Sequence, residues 1–292
     1  MCIIAAVFTS AGQNAPSDSH APKLNFTTHS LDYGLKIISL EDRSAPAMDL
    51  IAPGVHAAQG ARTAATPESL AAGEQLLEAA IRASGGNSLQ SVSGIAMTES
   101  EMLLNADGAM PRDVAWSVEY PNRCRAEVQS GGNTILQGSD GKSAWIEWQS
   151  QIRDATQMMG EMRRGVALFG GGWGLYQQAL AGRIQAQSIS PEEVEGKELP
   201  GVAMETDFGL IKLYFDPQTH LLTMARYESA TSKGPVDSEQ RWFDYRNVDG
   251  RQFAFTTTVY RDGQKYMQSM VKDLKLNPSL TDAFFEVPQP SQ

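Results

Sequence analysis

The sequence predicts an α+β protein, a large curved antiparallel sheet (an unclosed β-barrel) wrapped over a few helices. Three observations carry this expectation. Asp-Gly pairs stand at 107–108, 140–141, 249–250 and 262–263, and Asp-Gly accepts the positive φ angles of the type I′ turn that closes a two-residue hairpin. Beside these pairs, apolar and polar residues alternate with period two, the pattern of strands with one dry and one wet face. Helical periodicity interrupts the strands only near 67–84 and 154–182, so the order is helix, about six strands, helices, about seven strands.

The opening helix has its own start and stop signals. Thr66 can cap it, Pro67 suits the first helical position and Glu68 the positive end of the dipole. Leu70, Leu77 and Ile81 recur at helical spacing, widened by Leu76, Ala80 and Ala83, and Gly85-Gly86 ends the run. Strands are expected at 88–98, 100–106, 113–120, 123–130, 133–138 and 143–149, with Val114, Trp116, Val118 and Tyr120 sharing one face. A second helix over 154–169 carries Met158, Met159, Met162, Val166 and Phe169 on one stripe. Gly170-Gly-Gly-Trp-Gly174 breaks it before a short helix at 175–182. Strands follow at 184–190, 201–208, 210–216, 221–228, 239–246, 252–261 and 264–276.

Ahead of this main domain (67–288) the chain is less regular. Cys2–Phe8 is apolar and runs into small polar residues, like the end of a secretory signal peptide, although no Lys or Arg precedes Lys23. Residues 1–23 are therefore expected to be a truncated signal-like segment and disordered tail, which implies the periplasm or cell envelope. Residues 24–66 read as a short strand pair, Leu24–His29 and Leu35–Leu40, followed by an Ala/Gly-rich linker.

At 292 residues a globule buries roughly 75% of its unfolded surface and needs no disulfide staple. Cys2 and Cys124 are not expected to pair. The formal charge of −10 and pI near 4.9 argue against nucleic acid and anionic membrane, since both repel an acidic surface. No apolar run approaches the roughly 20 residues of a membrane-spanning helix.

The residues of catalysis do not cluster. His20, His29, His56 and His220 form no His-x-x-Glu-His or His-Glu-x-x-His pair, so zinc hydrolysis lacks its ligands. There is no Gly-x-Ser-x-Gly elbow, Walker loop or dinucleotide fingerprint, and no metal or cofactor is implied. Cys124 lies on a strand between Arg123 and Arg125, whose side chains project to the other face. What remains is apolar and adaptable: Ile95, Met97, Trp116, Val118, Trp145, Met158, Met159, Met162, Phe169 and Trp173 are the candidates for lining a ligand cavity. Methionine tolerates variable apolar ligands. The same residues also suit an ordinary core.

Tyr120-Pro-Asn-Arg-Cys-Arg-Ala-Glu-Val128 followed by Gly138-Ser-Asp-Gly-Lys-Ser-Ala-Trp145 resembles the bacterial outer-membrane lipoprotein-sorting and carrier (LolA/LolB-like) family, in which a strand ending in Pro precedes Arg-x-Arg, Asp-Gly-Lys and an aromatic. The ending Leu276-Asn-Pro…Thr-Asp-Ala-Phe-Phe-Glu-Val-Pro288 is similar to that family's final strand. The resemblance covers about 67–288. It implies an unclosed antiparallel barrel with a helical lid, non-enzymatic, holding lipid or the acyl groups of a lipoprotein in a hydrophobic cavity, with an envelope protein as a further partner. Carriers proper place an arginine on the first strand, and residues 88–98 contain none.

A second, shorter stretch, Ser30-Leu-Asp-Tyr-Gly-Leu-Lys-Ile-Ile-Ser-Leu-Glu-Asp-Arg-Ser-Ala-Pro46, resembles the opening of insulinase-type (pitrilysin) zinc peptidases. It implies a remnant or accessory domain of such a peptidase lacking the metal site. A generic strand–turn–strand reads equally well.

Overall fold

The computed structural model describes residues 65–105, 108–231 and 234–288. The signal-like segment, the strand pair, nearly all of the linker and the peptidase-like stretch lie outside the described residues. By internal packing, the described residues of 65–229 and 237–288 form one compact unit.

Helix α1 (Pro67–Ser84) opens as its sequence requires. The Thr66 hydroxyl accepts from the Ser69 N–H at 3.1 Å, and the Ser69 hydroxyl accepts from the Thr66 N–H at 2.9 Å, a reciprocal capping box. Leu77, Ala80 and Ile81 are buried. Gly73 lets the helix lie directly on a strand, because an added Cβ would stand 2.4 Å from the Ala186 carbonyl oxygen.

A 3-10 turn (Gly86–Ser91) leads into β1 (Gly94–Asn105), β2 (Gly108–Glu119), β3 (Arg123–Ser130), β4 (Asn133–Ser139), β5 (Ala144–Trp148) and β6 (Gln151–Asp154). A second 3-10 turn (Thr156–Met158) precedes α2 (Met159–Leu180). Then come β7 (Ala186–Val194), β8 (Lys197–Thr206), β9 (Gly209–Phe215), β10 (Leu222–Thr231), β11 (Gly234–Val248), β12 (Arg251–Arg261) and β13 (Gln264–Leu276), with α3 (Asp282–Phe285) last.

The described strands form a 13-stranded sheet, ordered β6-β5-β4-β3-β2-β1-β13-β12-β11-β10-β9-β8-β7. Each strand pairs with its neighbours in sequence except that β6 does not meet β7, and at the centre β1 pairs with β13. The edge strands β6 and β7 remain unjoined, so the barrel is not closed, and α2 is the segment that runs between them. Residues from β2, β3 and β4 on one side, and from β1, β11, β12 and β13 on the other, meet α2. The sheet therefore bends around that helix.

The six-plus-seven count of strands matches expectation, with different boundaries. Residues 88–98 and 100–106 form a 3-10 turn and one long strand, and β6 is an addition. The ending 276–288 is not a strand: it turns into α3. Type I′ pairs occur at Asp249-Gly250 (φ 50°, 82°) and Asp262-Gly263 (φ 46°, 75°), and also at Gln149-Ser150 (φ 49°, 61°). Asp140-Gly141 belongs instead to a four-residue loop, in which the Asp140 carboxylate accepts the N–H groups of Lys142 (2.8 Å) and Ser143 (2.7 Å).

Candidate ligand cavity beneath the second helix

Strand alternation sends Ile95, Met97, Glu99 and Glu101 of β1 to one face. The β1–β2 register sets Ile95 against Val118, Met97 against Trp116, Glu99 against Val114 and Glu101 against Arg112. Cys124 and Ala126 of β3 and Gln137 of β4 continue the same face. Helix α2 lays Met162, Val166 and Phe169 over it, and all of these side chains are buried.

Helix α2 is broken where the glycines fall. Phe169 has φ −58° and ψ 138°, and Gly170, Gly171 and Gly172 have φ 68°, 91° and 91°, a region that L side chains avoid. Space is equally short. A Cβ on Gly170 would lie 2.3 Å from the Phe253 ring, and one on Gly171 2.3 Å from the Tyr245 hydroxyl. The helix resumes at Trp173, which meets Phe253 edge-on (5.1 Å) and donates its indole N–H to the Gln252 carbonyl at 2.9 Å.

The space beneath α2 is filled by the protein's own side chains. One void of about 10 Å³ touches Trp116, Val118, Cys124, Gln137, Met162 and Phe169. Another of about 20 Å³ touches Met97, Glu99, Phe169, Gln240, Trp242 and Phe253. Small-molecule sites span roughly 300–1,000 Å³, so an acyl chain enters only if α2 moves. Phe169 borders both voids and packs edge-on against Trp116 at 5.8 Å.

Of the sequence candidates, Ile95, Met97, Trp116, Val118, Met162, Phe169 and Trp173 share this interior. Met158 and Met159 are buried where α2 begins, and the Ser139 hydroxyl donates to the Met159 sulfur at 3.3 Å. Trp145 lies apart. It pairs with Gly138 while Ile146 pairs with the inward Gln137, so alternation puts Trp145 on the outer face. There Gly138 leaves room for its ring, and its indole N–H donates to the Phe285 carbonyl at 3.0 Å.

Reasoning from apolar residues alone missed the polar members of the interior, Glu99, Glu101, Arg112, Gln137 and Gln240. Their signal was parity: on β1, Glu99 and Glu101 occupy the inward phase between Met97 and Leu103. Arg112 pairs with Glu101 at 2.5 Å, and the Trp116 indole N–H donates to Glu99 at 2.7 Å. Burial pushes the Glu99 carboxyl well above the ordinary range, reinforced by the Glu101 charge. Arg112 holds the negative charge on Glu101, so of the two carboxyls it is Glu99 that keeps a proton.

A second buried pair secures α2. The Arg164 guanidinium donates to both Glu161 oxygens at 2.9 Å and to the Ser229 hydroxyl at 3.3 Å, and it lies 4.7 Å from the Tyr227 ring centroid. Burial raises the Cys124 thiol to about 12, too high for a nucleophile. His220 is an exposed turn residue with φ 59°. Among the described residues no group of three or more His, Cys, Asp or Glu side chains could hold a metal, and no helix is long and apolar enough to cross a membrane.

The outer face of the sheet carries an open trough of about 790 Å³, floored by Met102, Pro111, Asp113 and Met270 and walled by the β3–β4 hairpin. Met102 is 39% and Met270 53% exposed.

No family model matches the sequence, and no curated protein does. Solved structures do. A DUF1329 family protein from Desulfovibrio piger superposes with a TM-score of 0.50 at 13% identity, over 75% of this chain and 97% of that one. A LolA superfamily protein from Nitrosomonas europaea superposes with a TM-score of 0.50 at 12% identity, over 74% of this chain and 97% of that one. At these identities the likeness is one of fold.

Proposed function

We propose that residues 67–288 form a non-catalytic, ligand-holding domain of the cell envelope, which takes the acyl chain of a lipid or of an acylated protein into the space beneath α2. The observation that carries this reading is the position of Phe169. One aromatic side chain borders both voids, whose linings are mostly apolar, and it sits at the start of a three-glycine turn. Rotation of the Met159–Leu168 segment about that turn would withdraw Phe169 and join the voids into a slot between Met97, Trp116, Met162 and Phe253. The fold shared with a LolA superfamily protein and the signal-like start of the chain support an envelope role.

Native mass spectrometry after gentle extraction is expected to show bound acyl species, and a fluorescent fatty acyl probe is expected to bind. Met162→Lys should weaken that binding more than it weakens folding. Protein free of acyl species that also ignores the probe would contradict the reading.

A second reading rests on the filled interior together with the exposed Met102 and Met270 of the outer trough. It makes the domain a protein-binding module with a solid core. In that case Met270→Glu would abolish partner capture, and Met162→Lys would only destabilise the fold.

A further inference from the structure

The apolar space beneath α2 contains a polar atom that nothing satisfies. Gln137, on β4, is 2% exposed, and its side-chain oxygen has no hydrogen-bond partner among the described residues. It borders the void shared with Trp116, Val118, Cys124, Met162 and Phe169. A buried acceptor left unpaired costs about 1–3 kcal/mol. Water is a poor remedy here, because a buried water needs two to four polar partners. Its other close neighbours in that void are an indole already engaged by Glu99, a buried thiol and hydrocarbon.

The charges around the space cancel. Glu101 is paired with Arg112 and Glu161 with Arg164, and Glu99 carries the proton of its pair with Glu101. Among the described residues no uncompensated cation faces the slot, so a carboxylate drawn into it would remain a bare buried charge, which is strongly unfavourable. An uncharged group that offers an N–H or O–H to Gln137 meets no such penalty and removes an existing one.

We infer that Gln137 is the specificity-determining residue of the site and that the ligand is an uncharged acyl group bearing a hydrogen-bond donor, an N-acyl amide being the simplest, rather than a free fatty-acid anion. This rests on the acyl-binding reading above. The amide N–H donates to the Gln137 oxygen while the chain takes the place of Phe169 between Trp116 and Met162. Either orientation of the Gln137 amide serves, because an amide ligand presents both a donor and an acceptor.

The test is competition at pH 8 against diphenylhexatriene, an apolar fluorophore with no hydrogen-bonding group, using palmitamide and palmitate as competitors. Wild-type protein should prefer palmitamide by more than tenfold, one buried hydrogen bond supplying about tenfold and the cost of burying a bare carboxylate the rest. In Gln137→Leu the preference should shrink by about tenfold, the share of the lost hydrogen bond, while diphenylhexatriene still binds and the melting temperature is unchanged or higher. Gln137→Met serves as a second variant if the leucine packs poorly. Equal or tighter binding of palmitate by the wild type, or a preference undiminished in both variants, would overturn the inference while leaving acyl binding standing. Failure of wild-type protein to bind diphenylhexatriene or either competitor would overturn the acyl-binding reading and this inference with it.

Discussion

Phe169 meets Trp116 edge-on, ring centroids 5.8 Å apart, at the point where α2 gives way to its glycine turn. Edge-to-face aromatic pairs contribute about 0.5–1.5 kcal/mol beyond burial, enough to hold a closed state and small enough for a ligand to replace. Trp116 is itself fixed from behind by its hydrogen bond to Glu99. The filled interior thus includes one aromatic side chain whose neighbouring backbone is built from glycine.

Phe169→Ala should join the two voids. Truncating a buried Phe costs about 3–5 kcal/mol, and that loss is expected in urea unfolding of the ligand-free protein. A saturating acyl probe should restore part of it, giving a larger thermal shift than in the wild type. If the probe stabilises both proteins equally, Phe169 does not occupy the ligand's place.

Glu99 makes stability depend on pH in a direction opposite to that of most carboxylates. Its folded pKa is raised, so the folded state holds a proton that the unfolded chain releases above about pH 4.3. Its contribution is complete below that pH and is lost as pH rises through the folded value. Glu101, also raised but held by Arg112, adds in the same direction, while Trp116, Ser269 and Gln240 contribute no charge. Glu99→Gln keeps an acceptor for Trp116 and a donor for Glu101. It should flatten the fall in stability as pH rises above about 4.3, each pKa unit being worth about 1.4 kcal/mol. Unfolding curves for variant and wild type that fall in parallel would contradict this.

The sheet was legible because hairpin chemistry is local. Asp249-Gly250 and Asp262-Gly263 specify their own turns, and Thr66 and Gly85 specify the ends of α1. The turn at Gln149-Ser150 left no such mark, since neither residue favours the φ values it adopts. The segments that carry the family resemblance prove to be neighbours. Arg125 lies over both Trp145 and Phe284 and donates to the Phe284 carbonyl at 2.9 Å. Arg123 pairs with Asp282 and lies over the Phe285 ring. These residues staple α3 to the outer face of the sheet, so the resemblance reports a device of the fold and not the ligand site. The site was harder to read because it depends on which strand positions face inward. Trp145 and Ile146 are adjacent, yet only Ile146 faces α2, and Gln137 is distinguished by parity alone.

The central claim is that α2 opens without unfolding the sheet. Cys124 borders the void under Met162 and Phe169 and is 5% exposed. With Cys2→Ser it is the sole thiol in the chain. Its rate of reaction with a thiol reagent in native buffer measures that opening directly. The expected result is labelling through a local opening whose free energy is smaller than that of global unfolding and nearly independent of denaturant, with protection when an acyl probe is bound. Labelling that tracks global unfolding, with the same denaturant slope and no effect of the probe, would contradict the account.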